Sequence, residues 1–200
     1  MSDAHGPRRR TALTPQHAEA YAGLLDRMRA LQDAVVAPDC DPETLCEVAS
    51  ALDALSERLG PPAAPDADWR HMLDPMPSRG RPMCPPVTIT ARTPETVTAT
   101  VVFGHFFLGR NGAAHGGAVA MCFDELFGSL INRIDGFRAR TASLRIDYKR
   151  ITPISCTLRA EAAITRHEGR KYTICGHLAD DEGLCATAEG LFIVLNPGQP

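Results

Sequence analysis

Residues 111–131 read NGAAHGGAVAMCFDELFGSLI, a Gly-containing loop that runs directly into an apolar segment. The loop ends at the triplet His115-Gly116-Gly117, and the residues after it are apolar on nearly all sides at the helical period. A helix that is apolar nearly all round is a buried one. The stretch therefore predicts a long helix that the rest of the domain encloses.

The first two turns of this helix combine features that acyl-transfer sites need. A helix N-terminus presents unpaired backbone N–H groups and a positive dipole end, which suit an oxygen that gains negative charge. Asp124 projects with small and apolar residues, whereas the adjacent Glu125 points about 100° away to a more polar side. A carboxylate on an apolar face needs a function or a partner. Asp124 is therefore the candidate catalytic acid, the alternative being a hydrogen bond to a neighbouring strand or subunit.

Six segments with the two-residue period of β-strands flank the helix. Two precede it, 87–91 and 96–103, and the linking Thr93-Pro94-Glu95 favours a hairpin. Four follow it at 141–148, 156–165, 171–179 and 184–195, and short loops with Gly, including turns at 167–170 and 180–183, predict an antiparallel meander. The sequence thus predicts an α+β domain whose six-stranded antiparallel sheet wraps around a central helix.

This order of elements resembles the hotdog fold, and the local motif resembles its acyl-CoA thioesterases of the PaaI-like (phenylacetate-pathway) type. The resemblance covers roughly residues 86–195 and implies hydrolysis of an acyl-CoA or acyl-carrier thioester. It also implies a homodimer or homotetramer with active sites between subunits, no metal, and no cofactor apart from coenzyme A as part of the substrate. The matching residues are His115-Gly116-Gly117, Asp124, Thr141-Ala142-Ser143-Leu144 and Tyr148-Lys149-Arg150.

The resemblance implies four catalytic positions. The Gly117 N–H holds the developing oxyanion, and Asp124, supplied by the opposite subunit, either activates water or attacks the carbonyl itself. Thr141 places the attacking water, although a strand threonine is by default only a β-former. His115 is either a carbonyl partner or a histidine that fixes the loop.

Substrate binding is assigned to five further positions. Asn111 either donates its amide to the thioester or forms the turn before Gly112, and the turn is the favoured interpretation. Basic residues end the third strand where a nucleotide phosphate can dock, but such residues are usually only solvated. The binding set is Asn111, Gly116, Ser143, Lys149 and Arg150.

Composition limits the class of protein. A formal net charge of −3 over 200 residues argues against a nucleic-acid binder. Seven cysteines without a C-x-x-C pair give neither a disulfide framework nor a zinc signature, and most fall where a small apolar residue is expected. No apolar run reaches the length of a signal core or a membrane span. We therefore expect no membrane partner and a reducing, cytoplasmic setting.

The first third of the chain is divided from the hotdog region by composition. Residues 1–13 are expected to be a disordered tail, 14–60 an N-terminal helical hairpin, 61–86 a Pro-rich linker and 87–196 the hotdog domain. Thr14-Pro15 and Asp41-Pro42 favour helix starts. The second helix has apolar residues at 45, 48, 52, 55 and 59, a spacing that suits packing on the body, a partner subunit or a partner protein.

Two other function classes stay open. A hotdog protein without hydrolytic activity binds acyl thioesters for regulation or handover. A hydratase or dehydratase of the same fold needs a closely coupled histidine and acid, for which His115 and Asp124 are an insecure match. Turnover separates the first alternative from a thioesterase, and the identity of the product separates the second.

Overall fold

The computed structural model describes residues 14–60, 76–132, 138–196 and 199. The expected disordered tail and most of the Pro-rich linker lie outside these residues. The described part consists of two N-terminal helices followed by a sheet that surrounds a third helix. The predicted fold, an antiparallel sheet around a central helix, is confirmed.

The sheet has six strands, and every neighbouring pair is antiparallel. Its spatial order is β1-β2-β4-β5-β6-β3. The strands are β1 (Val87–Arg92), β2 (Thr96–Val102), β3 (Ala139–Tyr148), β4 (Thr157–Glu168), β5 (Lys171–Asp180) and β6 (Gly183–Val194).

The predicted four-strand meander is wrong for β3, which pairs with β6 rather than with β4. The β4–β5 and β5–β6 connections are tight turns, and such turns force the strands they join to be neighbours. The connection from β3 to β4 spans 149–156, long enough for β3 to reach the far edge of the sheet. The predicted turn at 167–170 is also shorter than expected, because Glu168 still pairs with Lys171.

The central helix α3 (Gly116–Ile131) fills the curve of the sheet. Its aromatic and aliphatic side chains form the core with the inward residues of β2, β4, β5 and β6, and Val119, Phe123, Leu126 and Phe127 are fully buried. Burying such a side chain stabilises the fold by about 1.5–3 kcal/mol. The prediction of a buried helix is therefore confirmed.

The environments of the two adjacent acids of α3 are the reverse of those predicted. Glu125 lies on the side predicted to be more polar, yet it is only 2% exposed and accepts a 2.7 Å hydrogen bond from Arg81. Asp124 is partly exposed instead. The reason is long-range: the chain before β1 brings a cation to Glu125, while the Asp124 side of the helix faces β3 at the edge of the sheet.

The N-terminal helices are α1 (Pro15–Ala34) and α2 (Pro42–Leu59), capped by the side chains of Thr14 and Asp41. Helix α1 packs on the body: Leu25 is buried, and the Tyr21 hydroxyl donates to the Gly80 carbonyl. Helix α2 has no buried residue. Its apolar stripe consists of Leu45, Val48, Leu52, Leu55 and Leu59, and all five side chains are exposed. In the described structure this stripe therefore does not pack on the body of the chain.

Phe127 of α3 lies directly against the backbone of β5 and β6. A Cβ on Gly176 would sit 2.7 Å from Phe127 Cε1 and 2.6 Å from the Glu161 carbonyl oxygen, and a Cβ on Gly190 would sit 2.8 Å from Phe127 Cδ2. Real Cβ atoms essentially never come this close. Only glycine allows the helix to approach the sheet here.

Gly176→Ala is therefore expected to lower the free energy of unfolding by about 1–3 kcal/mol, because the backbone at Glu161 cannot move away from the added methyl group. Gly23→Ala is the matched control, since a Cβ on Gly23 meets nothing within 4 Å and alanine suits a helix interior. Urea unfolding of both variants checks the prediction. Equal stability of Gly176→Ala and the wild type would contradict the close packing.

Candidate active site

A short β-hairpin delivers the chain to the start of α3. Asn111 and Gly112 both have positive φ, 58° and 73°, and the Ala113 N–H donates to the Arg110 carbonyl at 3.2 Å. Positive φ at both central residues defines a type I′ turn, for which Asn-Gly is the preferred pair. Asn111 therefore occupies a turn, the interpretation that the sequence favoured for it.

Backbone bonds close the base of this hairpin and attach it to the chain after β3. The Ala114 N–H donates to the Thr152 carbonyl at 2.8 Å, and the His115 N–H donates to the Phe107 carbonyl at 2.7 Å. A rigid element positions a functional group better than a free loop does. His115 and the first turn of α3 thus have a defined position against the body.

His115 is the N-cap of α3. Its Nδ1 accepts a 3.0 Å hydrogen bond from the Gly117 N–H, so the neutral ring carries its proton on Nε2. The predicted oxyanion donor is therefore already bonded in this structure. The sequence did not indicate this bond, because histidine is not among the usual cap residues.

Tyr148, which sequence reasoning did not assign to the site, also contacts this helix start. Its hydroxyl donates to the Gly116 carbonyl at 2.9 Å from the end of β3. Its place at the end of a strand whose alternate residues face the helix is the signal that could have identified it. The first turn of α3 is thus held by His115 on one side and by Tyr148 on the other.

Asp124 and Thr141 are brought together by the edge strand. The Thr141 hydroxyl donates to Asp124 Oδ1 at 2.7 Å. The β3–β6 register shifts between Thr141 and Ser143, and a bulge of this kind re-aims side chains. It turns Thr141 toward the helix and leaves Ser143 on the outer face with Arg145, so the structure does not bring Ser143 to Asp124.

The basic pair at the end of β3 is engaged within the chain. The Arg150 guanidinium pairs with Asp180 and with Glu182, the latter at 2.9 Å. Lys149 Nζ lies 3.8 Å from the Asp147 carboxylate. Arg150 is therefore not a free phosphate ligand in this structure.

The Cys122 thiol of α3 also bears on the chemistry of the site. Burial raises the pKa of the Cys122 thiol to about 12, so this cysteine of α3 stays protonated and is no nucleophile at neutral pH. Among the residues that the structure describes, no cluster of three or more His, Cys, Asp or Glu side chains could hold a metal ion. No described helix is long and apolar enough to cross a membrane.

A groove of about 710 Å³ lies on the outer face of the sheet, away from Asp124 and the start of α3. It contains none of the predicted catalytic residues. Its polar lining includes Arg145, Asp147, Glu161, His177 and Glu189. This groove is therefore not where the motif residues meet.

The chain resembles known proteins over this part of its length. Residues 111–186 match the family model of the thioesterase superfamily. The acyl-coenzyme A thioesterase THEM4 of Xenopus laevis is 33% identical over 96 residues, which are 47% of this chain and 43% of that protein. The chain thus spans less than half the length of the curated relatives that it matches.

Solved structures resemble it more broadly. A crystal structure described as a thioesterase superfamily protein aligns with a TM-score of 0.72 and 28% identity, over 86% of this chain and 90% of that one. The PaaI protein of E. coli, from the phenylacetic acid degradation operon, aligns with a TM-score of 0.52 over 55% of this chain and 80% of that one. At 18% identity the second likeness concerns the fold alone.

The Arg150–Asp180 pair gives a pH prediction. Burial opposes ionisation of Asp180, but the Glu182 N–H and the Arg150 guanidinium outweigh it and hold its pKa below 3.8. A lowered folded-state pKa stabilises the fold above the unfolded value, and this stabilisation is lost as the pH falls through the folded value. Arg150→Gln is expected to raise the pKa of Asp180 in an NMR titration.

The melting temperature of Arg150→Gln should accordingly differ most from the wild type at neutral pH and least once the pH has fallen below the lowered pKa of Asp180. Arg159→Gln is the matched control, because its 3.4 Å pair with Asp181 is far more exposed. An Asp180 pKa that does not respond to Arg150→Gln would contradict the assigned ion pair.

Proposed function

We propose that this chain is a member of the thioesterase superfamily and that it hydrolyses an acyl-CoA or acyl-carrier thioester to a free acid and a thiol. The observation that carries the proposal is the 2.7 Å bond that holds Asp124 against Thr141 on the exposed side of α3. A carboxylate and a helix N-terminus supply the base or nucleophile and the oxyanion donor of acyl transfer. The acyl-coenzyme A thioesterase name of the THEM4 relatives supports a CoA thioester as substrate.

Asp124 performs the attack in one of two ways. As a base, it takes a proton from water while the water oxygen bonds to the thioester carbon; as a nucleophile, its own oxygen bonds to that carbon. The Thr141 hydroxyl donates to Oδ1, which leaves Oδ2 to accept from the water or to attack. Collapse of the tetrahedral intermediate breaks the C–S bond, and the thiolate leaves and takes up a proton. In the first route this collapse gives the free acid directly. In the second route it gives an anhydride of Asp124, which water then hydrolyses to the free acid and the restored carboxylate.

The Gly117 N–H receives the carbonyl oxygen. In the resting structure it donates to His115 Nδ1, a neutral acceptor, at 3.0 Å. Hydrogen bonds to an anionic acceptor are roughly twice as strong as neutral ones. When the carbonyl oxygen replaces the imidazole as acceptor, the hydrogen bond from the Gly117 N–H becomes strongest once that oxygen is negatively charged. The exchange of acceptors therefore stabilises the transition state more than the bound substrate. His115 acts as the placeholder that the substrate displaces.

Two copies of the chain form each site in this proposal. Gly117 and Asp124 are seven residues apart on one helix, about 10 Å along its axis, which is a long span for one carbonyl and its attacking oxygen. Strand β3 is an edge strand without an outer neighbour among the described residues, and such an edge is a template for pairing with another chain. A homodimer, or a homotetramer built from it, brings Gly117 of one copy to Asp124 of the other.

The reaction as proposed needs no metal and no bound organic cofactor, and coenzyme A enters only as part of the substrate. Asp124 and the Gly117 N–H supply proton transfer and charge stabilisation. A reducing, cytoplasmic setting is part of the same proposal. All seven cysteines are free thiols, which supports this setting.

Release of free thiol from short, medium, long and aromatic acyl-CoAs tests the function. Wild-type protein is expected to turn over part of this panel, and Asp124→Asn is expected to lose at least about 10²-fold in rate because it removes the base or nucleophile. Glu125→Gln is the matched control: it removes the neighbouring acid, which the structure uses for an ion pair, and should keep the turnover of the folded protein.

Three outcomes would count against the proposal. Full activity of Asp124→Asn with loss in Glu125→Gln would mean that the wrong acid has been chosen. Binding of acyl-CoA without thiol release would favour a non-hydrolytic acyl-thioester-binding protein. Conversion of an acyl-CoA with its thioester intact would favour a hydratase or dehydratase.

A further inference from the structure

The turn His105–Phe107, just before the active-site hairpin, lacks a capping side chain of its own. Its N-cap is Gly104, and the first N–H groups of such a turn have no partner within it. Asp33, near the end of α1, fills this role: its Oδ1 accepts from the Phe106 N–H at 2.7 Å across 73 residues of sequence. A carboxylate at this end of a helical turn provides an acceptor for an N–H that has no partner within the turn.

The fit between Asp33 and this turn is close. A Cβ on Gly104 would lie 2.5 Å from both carboxylate oxygens of Asp33. A methyl group at residue 104 would therefore displace the Asp33 carboxylate from this position. On its other side the turn is anchored in the core, where Phe107 packs edge-on against the fully buried Phe103.

The turn is connected to the candidate site by backbone bonds. The Phe107 carbonyl accepts from the His115 N–H at 2.7 Å, and His115 Nδ1 accepts from the Gly117 N–H. A continuous path of hydrogen bonds and short backbone steps thus runs from Asp33 to the proposed oxyanion donor. A shift of the turn would move His115 and with it the first turn of α3.

We infer that Asp33 is a positioning residue of the proposed thioesterase site, and that α1 serves to dock this carboxylate on the turn before the active-site hairpin. Asp33 acts through Phe106, Phe107 and His115 and contacts no substrate. The inference rests on the proposed function for its effect on rate, but the positioning itself is a property of the folded chain. A displacement of about 1 Å can cost about 10²-fold in rate, so partial loosening is expected to cost less.

The test compares substitutions of Asp33 in the full-length chain. Asp33→Ala removes the acceptor and is expected to lower kcat about tenfold with little change in KM, because the Gly117 N–H is needed most in the transition state. Asp33→Asn keeps an acceptor oxygen and should stay within about twofold of the wild type. Glu19→Ala, which removes an exposed acid of the same helix, is the matched control and should leave kcat unchanged.

Hydrogen exchange measures the positioning without reference to activity. Peptides covering residues 104–117 should exchange faster in Asp33→Ala than in the wild type, Asp33→Asn or Glu19→Ala. Gly104→Ala provides a second route, because its methyl group pushes the carboxylate away. It should lower kcat in the wild type and have little further effect in an Asp33→Ala background, since coupled residues do not act additively.

The outcomes separate this inference from the proposed function. Absence of wild-type turnover on every thioester would overturn the function, while faster exchange in Asp33→Ala would still support the positioning. Wild-type turnover with unchanged kcat and unchanged exchange in Asp33→Ala would overturn the positioning alone. Equal loss of kcat in Asp33→Ala and Asp33→Asn would contradict the inference, because the asparagine oxygen can still accept a hydrogen bond from the Phe106 N–H.

Discussion

The enclosure of α3 depends on the absence of side chains where Phe127 meets the sheet. With glycine at 176 and 190, the ring lies against the backbone of β5 and β6, and the sheet can curve tightly around the helix. Tight curvature buries most of the helix and leaves one stripe of it partly exposed beside the edge strand β3, along Gly117, Ala120, Met121 and Asp124. The exposed acid and the start of the helix both lie along that side. The packing of the core thus determines where chemistry can occur.

The edge strand β3 determines which side chains contact this side of α3. A bulge in β3 turns Thr141 toward Asp124, and the end of the same strand places the Tyr148 hydroxyl on the Gly116 carbonyl. One strand therefore orients the carboxylate and supports the helix N-terminus. The same strand has no outer neighbour among the described residues, so the elements of the site lie where a second copy would add to the sheet.

Local patterns were sufficient for the elements of the fold. The apolar 3.6-residue period gave α3, and the Asn111-Gly112 pair predicted a turn that the structure has. The period of two gave all six strands within a few residues. These signals are carried by neighbours in the chain, so a single sequence contains them.

Long-range contacts explain three placements that local patterns in the sequence missed or predicted wrongly. Glu125 is buried because Arg81, 44 residues earlier, reaches it. Ser143 faces outward because β3 pairs with β6 through a bulge, and no local pattern near residue 143 indicates that partner. Asp33 caps a turn 73 residues away, a contact that helical periodicity in α1 could not indicate.

In the proposed dimer, Gly117 of one copy and Asp124 of the other form each site, and the activity of mixed dimers distinguishes this arrangement from a site within one chain. Gly117→Pro removes the N–H at a first-turn position of the helix, where proline is best tolerated, and Asp124→Asn removes the acid. Each variant alone should be inactive. Co-expressed with different tags, they should recover about a quarter of wild-type turnover, because half of random dimers are mixed and each has one intact site. Mixed dimers no more active than the separate variants would contradict a site shared between subunits.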